Sequence, residues 1–335
     1  MPSWGIILIV VGSLAVLFSS LILVTAYNVH RAFGRRESFP GYRLEEFPGL
    51  FAEAKPFPNY RGERLSGYVY SRAGVAVKGL HVFCHGKGSV HRDYLYYIDA
   101  LCKGGYLVFA YDNTGYGESG GACPGSLEQA VLDLGSALRY VKSDSALSGY
   151  KISLSGHSWG GYAVTARLNS PGCRIEAAVD IAGFNSISGF MAVRQGKAAF
   201  LLYLPMLTFS FFKRGRISGY SAVGGIKKAR DTRVLMLYSR DDKEVPYSIY
   251  RRMLRKLQAA RNVRFVFFDD RGHNPFFSGA RSAVMREATD KHKRALAAAD
   301  EPSRGLLRAG FKKEIMELQR GWEPDFIDTV LEFLG

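Results

Sequence analysis

The hydrophobic pattern divides the chain into one long apolar block, a series of short apolar runs, and amphipathic stretches between and after them. Residues 5–27 carry no charged side chain, enough to cross a bilayer at about 20 residues per span. Short apolar runs then recur at 79–84 (GLHVFC), 106–111 (YLVFAY), 150–154, 174–181, 233–239 (RVLMLYS) and 263–268 (VRFVFF). Each has the length of a strand, and most are rich in β-branched or aromatic residues. Amphipathic stretches at 93–103, 127–142 and from the end of the third run to about 169 lie between them. This alternation predicts an α/β domain with a mostly parallel central sheet and helices on both faces. Helical spacing returns at 284–299 and 306–320, and 324–334 predicts a closing amphipathic helix. The expected organisation is an apolar segment at 5–27, a Pro-, Gly- and aromatic-rich linker at 28–60, and one domain at 61–335.

Candidate chemistry follows the third run. Gly156-His157-Ser158-Trp159-Gly160-Gly161 places a serine between glycines two residues before and two after it. Between a strand and a helix this is a G-x-S-x-G turn, in which the glycines remove side chains that would clash in so sharp a bend. A serine hydroxyl needs a base, an orienting acid and donors for a developing oxyanion before it becomes an effective nucleophile. Downstream, the run at 233–239 leads into Asp241-Asp242, and the run at 263–268 leads into Gly272-His273. Serine, acid, histidine in that order differs from the chymotrypsin and subtilisin orders.

Together with His85-Gly86 and Asp112-Asn113-Thr114-Gly115-Tyr116-Gly117-Glu118-Ser119, these motifs make the chain resemble the α/β-hydrolases, in the serine aminopeptidase and monoacylglycerol-lipase-like branch. The likeness runs from about residue 61 to His273 and returns in the last helix. It implies Ser158 as nucleophile, His273 as base and Asp242 as acid, because the family sets the acid four residues before a proline, here Pro246. It further implies the backbone N–H groups of Lys87 and Trp159 as oxyanion donors, a cap inserted at about 184–230, and no cofactor or metal. Ser239 stands where the family usually has glycine, and Lys87 where a small or apolar residue is commoner.

Charge adds a second layer. The net charge is +15, and residues 184–230 hold eight basic side chains (Arg194, Lys197, Lys213, Arg214, Arg216, Lys227, Lys228, Arg230) and no acidic one. The apolar run 200–212 in the same segment is short for a membrane span and is broken by Pro205. A cap with an apolar lining and a basic rim predicts an acyl or lipid ester as substrate, met at an anionic membrane surface. The block at 5–27 exceeds a secretory core of about 7–15 residues and predicts a retained single-pass anchor in the cell membrane. Arg31, Arg35 and Arg36 follow it, which by the positive-inside rule puts the domain in the cytoplasm. Cys84, Cys102, Cys123 and Cys173 show no CxxC spacing and fit buried thiols in a reducing compartment.

Other signals point elsewhere only weakly. Residues 115–120 match G-x-G-x-x-G, but Pro124 interrupts the helix a dinucleotide site requires. His81, His85 and His91 lack the spacing of a metal site. The basic balance comes without a nucleic-acid-binding module, so no nucleic-acid partner is expected. Two rivals to the esterase reading stand: a peptidase, since Gly-x-Ser-Trp-Gly-Gly also resembles the elbow of proline-type aminopeptidases, and a catalytically silent membrane scaffold. The segment 279–321 is longer than the fold requires and is expected to form a solvated helical hairpin.

Overall fold

The computed structural model describes residues 3–33, 41–122, 125–195 and 215–335. Helix α1 (Ser3–Phe33) contains the apolar block. Its stretch Trp4–Val24 has a mean hydropathy of 2.9 and no residue buried inside the protein. It is long and apolar enough to cross a membrane, a property that a signal sequence shares.

The domain is built on an eight-stranded sheet in the order β1-β4-β6-β5-β7-β8-β9-β10. Strands β1 (Leu50–Ala54) and β4 (Gly67–Arg72) form an antiparallel edge, with a two-stranded ribbon, β2 (Phe57–Pro58) and β3 (Arg64–Leu65), between them in sequence. β5 (Gly79–Cys84) leads through α2 (Leu95–Lys103) to β6 (Tyr106–Tyr111), which pairs antiparallel with β4. After α3 (Gln129–Ser143) the chain returns past β5 to β7 (Ile152–His157), then runs through α4 (Trp159–Arg167) to β8 (Ala177–Ile181). Helices α5 (Ile187–Gln195) and α6 (Ala222–Lys228) precede β9 (Arg233–Ser239); α7 (Tyr247–Leu257) leads to β10 (Val263–Phe268). The chain ends in α8 (Gly279–Ala298), α9 (Glu301–Leu318) and α10 (Pro324–Leu334).

Both faces of the sheet are covered, so the central strands carry apolar side chains on both sides. On one face Leu80, Val82, Leu154, Val234 and Met236 pack with Val131, Leu134 and Ala163 of α3 and α4. On the other, Phe83, Val108, Val179, Leu235 and Leu237 pack with Ile98 and Leu101 of α2 and Phe326 and Val330 of α10. The second core also holds His81, whose ring nitrogens lie 2.8 and 2.6 Å from the hydroxyls of Ser153 and Ser155 on β7. Burial lowers the His81 pKa to about 3, so the ring is neutral.

The sheet reaches further back than residue 61. Residues 41–60 contribute β1 and the buried side chains of Tyr42, Phe47, Leu50 and Phe57, so this stretch belongs to the domain instead of linking to it. The edge strand escapes a periodicity reading because only its first residue is buried. The cap run 200–212, the basic residues Lys197, Lys213 and Arg214, and Cys123 lie outside the described residues. Cys84, Cys102 and Cys173 are free thiols.

Candidate active site

Sheet topology sets the place. From β5 the chain moves outward to β6, then reverses to β7 and continues the other way through β8, β9 and β10. The loops after β5 and β7 therefore diverge at the carboxyl ends of adjacent strands, the crevice where open α/β sheets bind ligands.

Ser158 sits in the turn between β7 and α4 with φ 55° and ψ −110°, a left-handed conformation costly for a residue with a side chain. The surroundings enforce it. A Cβ on Gly156 would overlap the backbone of Gly160, and one on Gly160 would overlap the Cys84 carbonyl of β5. One on Gly161 would overlap the Asp180 carboxyl of β8. Every residue from 152 to 166 is buried except Ser158, which is half-exposed at the mouth of the crevice.

The hydroxyl of Ser158 lies 2.8 Å from His273 Nε2, and His273 Nδ1 lies 2.9 Å from Asp242 Oδ2. A carboxylate can only accept, so Nδ1 carries the proton and Nε2 is free to accept from the serine. Asp242 Oδ1 accepts from the backbone N–H groups of Glu244 and Val245 at 2.8 and 2.9 Å, and the Tyr250 hydroxyl donates to Oδ2 at 2.7 Å. Burial pushes the Asp242 pKa up, but the hydrogen bond and charge of His273, the Val245 N–H and the Tyr250 hydroxyl outweigh it. The net shift is downward, and the acid is a carboxylate at neutral pH.

Asp241 does not touch the imidazole. Its Oδ1 accepts from the Ser239 hydroxyl at 2.6 Å and from the Gly272 N–H at 2.7 Å, fixing the loop that carries His273. Ser239, where the family usually has glycine, also accepts from the Arg271 N–H at 3.0 Å.

A second set of bonds ties the loops together. The Gly86 N–H donates to the Tyr94 hydroxyl at 3.2 Å, which donates to His157 Nδ1 at 2.9 Å; His157 Nε2 donates to the His273 carbonyl at 3.0 Å. This relay requires a neutral ring, and burial, reinforced by His273 beside it, takes the His157 pKa down to about 3. Gly86 makes room for it, since a Cβ there would stand 3.0 Å from the Tyr94 oxygen and 3.2 Å from His157 Nδ1. Lys87 follows at the exposed tip of the turn after β5, and Trp159 is the first residue of α4, with its indole bonded to the Leu127 carbonyl at 2.7 Å.

The remaining motif residues serve the scaffold. Asp112 Oδ1 accepts from the His91 N–H and faces its Nδ1, both at 2.8 Å. A Cβ on Gly117 (φ 51°) would overlap the Asp112 carboxyl, so the 115–120 run closes on the strand end instead of opening a helix. His85 Nδ1 lies 2.8 Å from the Gly86 carbonyl, and its Nε2 accepts from the Asn113 N–H at 2.9 Å. A cleft of about 780 Å³ opens beside His273, walled by Asn274 and by Met285, Arg286, Phe311 and Ile315 of α8 and α9. The helical hairpin thus forms one wall of this cleft, anchored by the Tyr42 hydroxyl on the Met316 carbonyl (2.8 Å) and by Trp322 stacked on Phe276 (3.9 Å).

A mostly parallel sheet whose crevice carries serine, acid and histidine on the loops after β7, β9 and β10 is the α/β-hydrolase fold. Residues 76–220 match the family model described as serine aminopeptidase, S33. Solved structures of the same fold include an esterase of Pyrococcus furiosus, Pf2001, at 17% identity and TM-score 0.57, covering 79% of this chain and 98% of that one. An acylaminoacyl peptidase of Pyrococcus horikoshii matches at 14% identity and TM-score 0.54, covering 74% of this chain and 42% of that one. An esterase of Thermogutta terrifontis, Est2, matches at 19% identity and TM-score 0.50, covering 76% and 97%. No curated protein matches the chain by sequence.

Proposed function

We propose that the protein is a membrane-anchored serine esterase acting on acyl or lipid esters. The observation that carries the reading is the unbroken hydrogen-bonded line from Ser158 through His273 to Asp242. In this mechanism Ser158 Oγ attacks the ester carbonyl carbon while His273 Nε2 takes the hydroxyl proton. The oxyanion is met by the backbone N–H groups of Lys87 and Trp159, the latter at the positive end of α4. His273 then returns the proton to the departing alkoxide, leaving an acyl-serine and free alcohol. Water attacks the acyl carbon with the same base, releasing the acid and restoring Ser158. No cofactor enters.

Two features support a lipid-facing substrate. The segment 184–230 carries eight basic residues and no acidic one, matching an anionic headgroup layer and offering no carboxylate for a peptide amino terminus. The charge-free stretch 5–27 would hold the domain at that surface, and the arginines after that stretch favour the cytoplasmic side.

The test is hydrolysis of p-nitrophenyl esters from acetate to palmitate by full-length protein in detergent and in anionic liposomes, beside Ser158→Ala. Serine-dependent turnover that rises with chain length or on anionic liposomes is the expected result. Good turnover of peptide amides with none of any ester would sink the esterase reading.

A further inference from the structure

We infer that Tyr250 is a positioning residue of this site: its hydroxyl holds the Asp242 carboxylate against His273 and tempers how strongly that carboxylate pulls on the imidazole. The inference rests on the proposed triad and adds a member that the family pattern does not supply.

Tyr250 lies on α7, eight residues after Asp242, because the chain turns at Pro246 and brings the first turn of the helix back to the acid. Its hydroxyl proton and the Nδ1 proton of His273 converge on one oxygen, Oδ2, at 2.7 and 2.9 Å. The other oxygen is held by two backbone N–H groups. Four donors on one carboxylate leave it a single orientation, and Tyr250 is the one side chain among the four besides the base itself.

The tyrosine is itself clamped. Its ring stacks on Tyr238 of β9 with centroids 3.7 Å apart and planes 13° from parallel. The Tyr238 hydroxyl donates to Asp180 Oδ2 at 3.1 Å, and Asp180 Oδ1 accepts from the Gly183 N–H at 2.8 Å. Asp180, Tyr238 and Tyr250 are fully buried, so neither ring can turn without leaving a polar group unpaired. Only Tyr250 reaches the triad; Tyr238 buttresses it from behind.

The electrostatic consequence has a sign. A donor on Oδ2 withdraws charge from the carboxylate and weakens its stabilisation of an imidazolium at His273. Removing that donor makes Asp242 a stronger partner for the protonated ring, so the acidic limb of the activity profile moves to higher pH. A stronger donor moves it to lower pH. The other groups facing the pair remain in place: His157 from the elbow, Asp241 and the Arg286 beside it, Tyr238 and Asp180.

The experiment uses full-length protein in detergent and measures the rate of Ser158 labelling by a fluorophosphonate from pH 5 to 9. Tyr250→Phe keeps the stack and deletes the donor. It is expected to label about tenfold more slowly at the optimum, with the acidic limb shifted up by about half a unit or more. Tyr238→Phe is expected to keep the wild-type limb. Should Tyr250→Phe lose the fold, 3-fluorotyrosine incorporated at position 250 keeps the ring, strengthens the donor, and is expected to move the limb down. A limb that stays in place in Tyr250→Phe, or with the fluorinated ring if that is the variant that folds, overturns the inference. So does a Tyr238→Phe limb displaced as far as that of Tyr250→Phe. If the wild-type protein is not labelled at all, the triad reading itself fails, an outcome separate from these.

Discussion

The elbow and the helical hairpin of α8 and α9 both contain glycines inside a helix or at its start, and they use them in opposite ways. At the elbow a Cβ on Gly156, Gly160 or Gly161 has nowhere to go, because backbone or a buried carboxyl already fills the place. In α9 a Cβ on Gly305 or Gly310 meets nothing within 4 Å. The elbow is buried throughout apart from the serine, whereas α9 buries no residue and α8 buries Ser282, Met285 and Ala288. Glycine is a requirement at the elbow and a tolerated weakness inside α9. Close packing, not residue identity, decides which.

The largest effect belongs to the serine of the elbow. Ser158→Ala is expected to lower kcat by about 10⁴-fold or more with the fold intact, read by ester hydrolysis beside circular dichroism. Next comes Gly160→Ala, whose added methyl collides with the Cys84 carbonyl. A loss of about 3 kcal/mol or more is expected in urea unfolding, together with loss of activity as the elbow moves away from β5.

The buried side also carries a pH signature. His81 has its folded pKa lowered to about 3 by burial, while an unfolded histidine titrates near 6.5. Between those values the unfolded chain binds one proton more, so this contribution to stability is present above about pH 6.5 and is lost as pH falls through the window. His81→Gln is expected to lose about 2 kcal/mol less than wild type between pH 7 and pH 5, measured as the difference in urea midpoints times the slope. The smallest effect belongs to the hairpin. Gly310→Ala in exposed helix is expected to raise stability by about 0.5–1 kcal/mol and leave ester turnover unchanged. A destabilising Gly310→Ala would mean that the hairpin is packed more tightly than its open surface indicates.

What was legible in the sequence follows the same division. The strands 79–84, 106–111 and 233–239 stand where the apolar runs predict them, because strands buried on both faces carry few polar positions; 263–268 also stands where its run predicts it, as an edge strand whose apolar residues are partly buried. The elbow was legible because a sharp strand-to-helix turn leaves glycine no substitute at 156 and 160. β1 was not, since an edge strand with one buried residue has no period, and its partner residues on β4 lie further along the chain, from Tyr68 to Arg72. Tyr94, His157, Asp241 and Tyr250 went unassigned for a different reason. Each meets its partner through the fold: Tyr94 reaches His157 across 63 positions, and Asp241 reaches Gly272 across 31. Tyr250 falls on the buried face of an amphipathic helix with Ile249, Met253 and Leu257, where its hydroxyl leaves no trace in the pattern. The hairpin was legible as two helices, but its place as a wall beside His273 depends on contacts with Tyr42 and Phe276 that no local spacing reveals.

Intact-mass analysis after treatment with a fluorophosphonate tests whether Ser158 is an activated nucleophile. One adduct per chain on the wild-type protein, mapped to Ser158 and absent from Ser158→Ala, with labelling greatly slowed in His273→Ala, is the result expected. An adduct that persists in Ser158→Ala, or a folded wild-type protein that takes up none, would contradict it.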